Sequence, residues 1–189
     1  MYSDQDILEG CKRKERFFQE LLYKRYASKM FGICLRYAHD QAVAHDIFQE
    51  GFIKVFQNLH TFKGDSALGS WMYRVFMTTS INYIQRTLKN KFEVSINEQL
   101  QVIDDKLSDE ESAHWMHHLT PEEALAMVQD LPEKYRLVIN MYAIDQLSHS
   151  EIAKALNISE ATSRSQLSRA RKMLNDQLKI KMEKKIGKP

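Results

Sequence analysis

The chain has 189 residues, of which six are glycine and three are proline. Their combined share of about 5% is well below the average of roughly 12%. Because charged residues also make up 28% of the chain, the composition disfavours an all-β sandwich or barrel and favours a mainly helical protein. No apolar run is long enough to span a membrane, and the N-terminal MYSDQDILEG has acids where a secretory signal has basic and apolar residues. We therefore expect a cytoplasmic protein without membrane insertion.

Cysteine usage and charge distribution add two constraints. Cys11 and Cys34 are too few for a disulfide framework and lack the spacing of a zinc site. The net charge of +2 is uneven, because basic and acidic residues number 12 and 9 over 1–87, 3 and 7 over 88–119, and 12 and 9 over 120–189. This pattern predicts two small helical domains joined by a flexible acidic linker. The predicted boundaries are 1–90 and 120–178 for the domains, 91–119 for the linker and 179–189 for a basic tail.

The first domain contains a long amphipathic helix over 15–38, followed by a helix over 41–59 that has two distinct faces. The apolar face of the second helix predicts core packing. The opposite face is polar around a single aliphatic side chain and consists of Asp46, Gln49, Glu50, Ile53 and Gln57. An aliphatic residue ringed by polar ones has the layout of an interface. A solvated face is the alternative that the residues leave open.

A third helix is predicted from about Ser70 to Leu88, with Ser70 as its N-cap. The chain has no acidic residue between Asp65 and Glu93. One stripe of this helix combines the groups that stack on bases and bond phosphates, namely Trp71, Arg74, Thr78, Asn82 and Gln85. The alternative is that Trp71 belongs to the core and the other residues line a seam between helices.

The second domain carries clear helix-start signals. Thr120 and Glu123 form a capping box with proline at position 121, and Pro132 predicts the start of another helix. Ser148 and Glu151 form a second capping box. A short turn over 157–159 then leads to a basic helix that starts at Glu160 and is capped by Ser159. A short helix, a three-residue turn and a longer basic helix together predict a helix-turn-helix.

The last helix has an apolar side and a basic, small-residue side. The inward residues are Ser163, Leu167, Ala170 and Leu174. The outward residues are Ala161, Ser165, Ser168, Arg169 and Lys172, flanked by Arg164 and Arg171 on one edge and by Thr162 and Gln166 on the other. Small residues let a helix approach the major groove, arginine and glutamine can bond base edges, and lysine or arginine can neutralise phosphates. An ordinary basic surface helix is the alternative.

Two stretches together resemble a known family. They are DQAVAHDIFQEGFIKVFQNLHTFKGDSALGSWMYRVFMTTSINYIQR (40–86) and LPEKYRLVINMYAIDQLSHSEIAKALNISEATSRSQLSRARKML (131–174). Over nearly its whole length the chain is similar to bacterial extracytoplasmic-function (ECF) sigma factors, the small two-domain specificity subunits of RNA polymerase. The resemblance implies an all-helical promoter-melting domain, a flexible linker and a helix-turn-helix domain. The chain departs from many members at Phe76-Met77-Thr78, where they have Ala-Arg-Asn, and at Gln166, where they have arginine, which affects the expected DNA preference.

The resemblance also implies partners and binding residues. The surface that matches the grip on the clamp coiled coil of the polymerase largest subunit is Asp46, Gln49, Glu50, Ile53 and Gln57. The residues implied in opening and reading the −10 element are Phe62, Lys63, Ser66, Ser70, Trp71, Arg74, Thr78, Asn82, Gln85 and Arg86. Those implied in reading the −35 element are Ser159, Thr162, Arg164, Ser165, Gln166, Ser168, Arg169, Arg171 and Lys172. The implied partners are core RNA polymerase, promoter DNA and, as is frequent in this family, an anti-sigma protein.

Two rival functions make different predictions. A stand-alone helix-turn-helix regulator would need a dimerisation surface, and the first domain shows no heptad seam. An enzyme is not supported, because GxGxxG, Gly-Lys phosphate loops and HExxH are all missing from the sequence. His114, His117 and His118 lie in the acidic connector, where a solvated cluster is the simpler interpretation. We therefore expect no catalytic residues, no cofactor and no metal.

Overall fold

The computed structural model describes the backbone of residues 2–92 and 119–186, and the side chains of 2–87 and 119–181. Every regular element within these ranges is helical, which confirms the predicted all-α class. The chain divides into two compact units, Met1–Arg86 and Thr87–Pro189. The predicted linker lies outside the described residues except at 91, 92 and 119. The three connector histidines also lie outside them. The predicted domain boundaries therefore stay predictions. Among the described residues, no helix combines the length and apolar character needed to span a membrane.

The first helix, α1 (Asp4–Lys12), is missing from the sequence-based prediction. Its signal is a capping box, because Ser3 Oγ accepts from the Asp6 amide while the Asp6 carboxylate accepts from the Ser3 amide. α1 packs against α2 (Arg16–Tyr37). Gly10 makes this approach possible, since a Cβ at this position would lie 2.1 Å from the ring of Phe18.

The helix α3 (Gln41–Asn58) has the predicted bounds within one residue. Asp40 caps it by accepting a 2.8 Å hydrogen bond from the Val43 amide. The predicted core stripe is confirmed except at Phe56, which is half-buried. Its buried members are Ala44, Phe48, Gly51, Phe52, Val55 and Leu59. A 3₁₀ turn, Leu59–Thr61, then ends the helical run before the loop that leads to α4.

The helix α4 (Leu68–Phe92) begins earlier and ends later than predicted. The predicted N-cap role of Ser70 is wrong, because the amides of Ser70 and Trp71 both donate to the carbonyl of Ala67, which places Ser70 inside the first turn. The burial of Leu68, which is 3% exposed, favours the earlier start. α4 crosses α3 closely where Gly51 faces Phe76, since a Cβ on Gly51 would lie 2.4 Å from that ring.

The second unit starts with α5 (Pro121–Gln129) and α6 (Glu133–Ile139), and both predicted starts are confirmed. A π-helical turn, Asn140–Ile144, continues α6 and was not signalled by the sequence. The turn between α5 and α6 is held by Arg136, which is 1% exposed. Its guanidinium donates to the carbonyls of Gln129 and Leu131 at 2.7 and 3.0 Å.

The helix-turn-helix prediction is confirmed in the second unit. The first of its two helices, α7 (His149–Leu156), begins at the capping box of Ser148 and Glu151 and ends at Asn157. Asn157 has a φ of 55°, a left-handed conformation that asparagine tolerates and that reverses the chain. The second helix, α8 (Glu160–Ile186), starts with Ser159 Oγ accepting from the Thr162 amide.

Candidate functional site

The side chains predicted to contact the polymerase lie on the outer side of α3. Ile53 is 56% exposed, an unusual fraction for an aliphatic residue in the middle of a helix. Asp46, Gln49 and Gln57 are exposed around it, and Glu50 is half-buried. The arrangement is therefore an aliphatic centre with a polar rim that carries two carboxylates.

An ion-pair network links this surface to α4. Glu50 accepts from Lys54 Nζ through Oε1 and from Arg86 Nη2 through Oε2, each at 2.7 Å. Burial acts to raise the pKa of Glu50, but the hydrogen bonds from Lys54 and Arg86 outweigh it and hold the pKa below its ordinary value. The Tyr83 hydroxyl donates to Asp46 at 3.0 Å, and the Arg86 guanidinium lies 5.5 Å from the Tyr83 ring centroid. Both carboxylates are thus held in place by α4.

This network changes the interpretation of Arg86. Arg86 is predicted from the resemblance to contact the −10 element, whereas in the structure it pairs with Glu50, a carboxylate of the surface predicted to bind polymerase. The reason is the close crossing of α3 and α4, which the sequence does not reveal. Tyr83 was missed for the same reason, since its partner Asp46 is 37 positions away.

Most of the residues predicted for the −10 element line one groove in the first unit. The groove has a volume of about 760 Å³ and lies between the end of α3, the loop that precedes α4, and α4 itself. The predicted residues that line it are Phe62, Lys63, Ser66, Trp71, Arg74, Thr78 and Asn82. The residues that prediction missed are Lys54, Asn58, Thr61, Asp65, Val75 and Thr79. Ser70, Gln85 and Arg86 are not among its lining residues.

The aromatic wall of the groove has two layers. Trp71 is half-buried, and its ring centroid lies 5.6 Å from that of Phe62, with the planes inclined by 52°. Phe62 is only 9% exposed, so it supports Trp71 from behind more than it faces the solvent. The Arg74 side chain is exposed, and its Nη2 donates to Ser66 Oγ at 3.2 Å. The groove therefore offers an indole face and a guanidinium held by the loop.

The predicted DNA-reading helix, α8, presents a mixed polar surface. Arg164 and Lys172 are exposed, and the half-exposed members of the predicted set are Thr162, Ser165, Gln166, Arg169 and Arg171. Arg164 pairs with Glu160 at 3.2 Å, one turn earlier. Ser159 and Thr162 also bond each other through their hydroxyls at 2.8 Å, so part of their polarity serves the cap.

One predicted outward residue of α8 faces inward. Ser168 is 7% exposed and follows Leu167, which is 4% exposed, so the buried side of the helix is wider than the sequence indicated. The reason is that α8 packs against three elements, α5, α6 and α7, and not against one. A side chain buried in this way cannot reach a base edge.

The described parts of the chain contain candidate metal ligands and two cysteine thiols. Within them, no group of three or more His, Cys, Asp or Glu side chains could hold a metal ion. Burial raises the pKa of the Cys11 thiol to about 11 and that of Cys34 to about 12, so both thiols are protonated at neutral pH.

Both units match described protein families. Residues 22–89 match the family model for sigma-70 region 2, and residues 122–174 match the model for sigma-70 region 4. The first match contains the surface on α3 and the groove, and the second contains the helix-turn-helix. The two matches follow each other in the order that the sequence analysis expects.

Two named relatives match along most of the chain. The RNA polymerase sigma-H factor of Pseudomonas aeruginosa is 30% identical over 180 residues, covering 93% of each chain. The ECF RNA polymerase sigma-E factor of Haemophilus influenzae is 26% identical, covering 93% of this chain and 95% of its own. The fold is similar to that of the sigma factor RpoE of Bartonella quintana, solved with the anti-sigma factor NepR, at a TM-score of 0.50 and 15% identity over 85% of this chain and 96% of that one. The chain therefore belongs to the sigma-70 family of RNA polymerase sigma factors and is of the extracytoplasmic-function type.

Proposed function

We propose that this sigma factor divides promoter recognition between its two units, with the first unit binding core polymerase and the opened −10 strand and the second reading the −35 duplex. The observation that carries the proposal is the groove of the first unit, where Trp71, Arg74, Thr78 and Asn82 converge. The function is binding and positioning, without a catalytic group of its own. It is carried out in the cytoplasm, where the polymerase transcribes.

The surface around Ile53 is suited to the clamp coiled coil of the largest polymerase subunit. Burying the exposed aliphatic centre against a partner is favourable, and the polar rim fixes the orientation of that partner. The carboxylates of Asp46 and Glu50 are already held by Tyr83 and Arg86, so they lose little side-chain entropy when a cationic partner approaches. The anti-sigma protein that the resemblance implies would compete for the same sites.

The groove is suited to unpaired bases. Opening a duplex costs a few kcal/mol per unstacked base, and this cost must be offset by capturing the exposed bases. Stacking of a base on an aromatic side chain contributes about 1–3 kcal/mol. The half-buried Trp71 supplies such a face, while Arg74, fixed by Ser66, is placed to bond a phosphate or a base edge. Asp65 is the acid among the lining residues, and it disfavours close approach of a phosphate on its own side.

The helix α8 is suited to the major groove of duplex DNA. Its capped N-terminus, the exposed Arg164 and Lys172, and the amide of Gln166 offer both base-edge and phosphate contacts. In this role the buried Ser168 serves packing and not readout. The −35 set is therefore the predicted one without Ser168.

Run-off transcription with purified bacterial core polymerase on a library of promoter fragments tests the proposal. We expect new start sites that depend on this protein. Trp71→Ala and Arg74→Ala should keep core affinity but lower the fraction of opened promoter about 5- to 150-fold, the range that the loss of one base contact implies.

Arg16→Ala is the matched control, because Arg16 is an exposed arginine on α2 that pairs only with Glu20 among the contacts recorded for it. Promoter opening should be unchanged in this variant. If Trp71→Ala and Arg74→Ala opened promoters as well as the parent, the groove would lose its assigned role. If the parent bound duplex sites but never joined core polymerase, the whole proposal would fail.

A further inference from the structure

A stacked side-chain cluster in the second unit has no role in the function proposed so far. It joins the π-helical turn, the start of α7 and the DNA-reading helix α8. Its members are Tyr142, His149, Ser163 and Arg171. Only Arg171 belongs to the set of DNA-binding residues predicted from the sequence.

The imidazole of His149 is fixed on two sides. Its ring lies 4.7 Å from the ring of Tyr142 with the planes only 23° apart, which is a stacked arrangement. Its Nδ1 lies 2.9 Å from Oγ of Ser163, a fully buried side chain. Because the Ser163 hydroxyl can donate to Nδ1, the proton of a neutral imidazole would then lie on Nε2. The half-exposed ring has no recorded partner for Nε2 among the described residues.

The cluster lies in a region of positive charge. The guanidinium of Arg171 lies 5.6 Å from the centroid of the Tyr142 ring, so the same ring supports both the histidine and the arginine. Burial lowers the pKa of His149, and the charges of Arg164 and Arg171 lower it further, against a smaller opposing effect of Glu160. The imidazole is therefore mainly neutral at pH 7, in a place where the nearby charges favour an anion.

We propose that Nε2 of His149, together with the Arg171 guanidinium, binds one backbone phosphate of duplex DNA when α8 lies in the major groove. The inference rests on the proposed function of the second unit. In a helix-turn-helix the first helix crosses the DNA backbone while the second reads the bases. His149 is the first residue of α7 and Arg171 is on α8, so their shared support on Tyr142 places the site where these two helices meet.

If this site exists, His149 should take up a proton when the protein binds DNA. A phosphate beside Nε2 offsets the repulsion from Arg164 and Arg171 and so raises the pKa of His149 in the complex. The groups that face the imidazole are Tyr142 from the π-helical turn and Ser163, Arg164, Arg171 and Glu160 from α8. DNA affinity should therefore increase as the pH falls from 8 to 6. The increase should depend on the charge of one phosphate.

The test uses holoenzyme assembled from this protein and core polymerase, bound to a promoter whose −35 phosphates are replaced one at a time by neutral methylphosphonates. We expect one position where the replacement weakens wild-type binding about tenfold at pH 6, the effect of losing one charge-assisted contact. On DNA that carries the methylphosphonate at that position, His149→Asn should not lower the binding affinity further than the replacement already does. Asparagine keeps an acceptor near Ser163 but has no group at the Nε2 position, so it separates packing from phosphate binding.

Two further measurements keep the test decisive. The pH dependence of wild-type binding should disappear at the sensitive methylphosphonate position, which needs no variant and no assumption about folding. Arg16→Ala, which removes an exposed arginine of α2 outside both predicted DNA-binding sets, should bind the −35 element as the parent does. The site is overturned if His149→Asn loses affinity equally at every phosphate position, because His149 would then only support α8. It is also overturned if wild-type binding weakens as the pH falls.

This experiment distinguishes a failure of the phosphate site from a failure of the proposed function. If holoenzyme forms and depends on the −35 element, but no phosphate position distinguishes wild type from His149→Asn, only the phosphate site is refuted. If holoenzyme does not form, or ignores the −35 sequence, the proposed function itself is refuted.

Discussion

The exposed Ile53 gives the sharpest prediction for polymerase binding. Fully burying an isoleucine side chain stabilises by about 1.5–3 kcal/mol. Ile53 is 56% exposed in the free protein, so burial of the remaining half against a partner is worth about 1–1.5 kcal/mol. Ile53→Ala should therefore weaken core binding roughly tenfold. Ile53→Asp should weaken it more, because a carboxylate without a partner would also be desolvated.

Titration of labelled protein with core polymerase, in the absence of DNA, measures this effect. The free energy of unfolding should change by less than about 0.5 kcal/mol in both variants, since more than half of the side chain is exposed in the free protein. Ile180→Asp is the matched control, because Ile180 is 54% exposed on α8 and outside the predicted surface. Equal core affinity for Ile53→Asp and the parent, with folding intact, would refute the assignment of this surface.

Three other predictions concern the elements that hold the sites in place. Gly51→Ala should destabilise the first unit by about 1–3 kcal/mol in thermal denaturation, because the added Cβ meets the Phe76 ring at 2.4 Å. The control is Gly32→Ala, which should be neutral or slightly stabilising because a Cβ at this position meets nothing within 4 Å. Because the pKa of Glu50 is lowered by its partners, its ion pairs should stabilise the parent over Glu50→Gln. This difference in the free energy of unfolding should have its full size above pH 4.5, the ordinary pKa, and should vanish as the pH falls through the lowered pKa. A difference that persisted at pH 2 would contradict the pairing. Arg136→Met should lower the free energy of unfolding by about 3 kcal/mol, because two backbone carbonyls, that of Leu131 in a buried hydrogen bond, lose their charged donor. An unchanged unfolding midpoint in denaturant would count against this role.

The helices were largely predictable because their signals are local. Capping boxes at Thr120 and Ser148, and apolar spacing along α2 and α3, depend on residues no more than four positions apart. The helix α1 has the same kind of local signal at Ser3 and Asp6, and it is as long as the predicted helix α5. The start of α4 was misjudged because a serine suggested a cap, while the burial of Leu68 moved the start two residues earlier.

The sites were only partly predictable because their geometry depends on pairs that are distant in sequence. The stripe from Trp71 to Asn82 follows from helical periodicity, and it does line the groove. The pairing of Arg86 with Glu50 spans 36 positions and follows from the way α3 and α4 cross. The burial of Ser168 similarly depends on how many helices pack against α8. Periodicity identifies which side of a helix is polar, but packing decides how much of that side stays exposed.

The distribution of charge explains why such a protein should need the polymerase to bind promoters tightly. The net charge is only +2, and non-specific DNA affinity depends on the number of phosphates that a protein neutralises. On α8 the exposed Arg164 already pairs with Glu160, and in the groove Asp65 faces the same space as Arg74. We therefore expect each unit alone to bind DNA only modestly. When core polymerase holds both units at a fixed separation, binding of one element raises the effective concentration of the other, and two weak contacts become one strong and selective interaction.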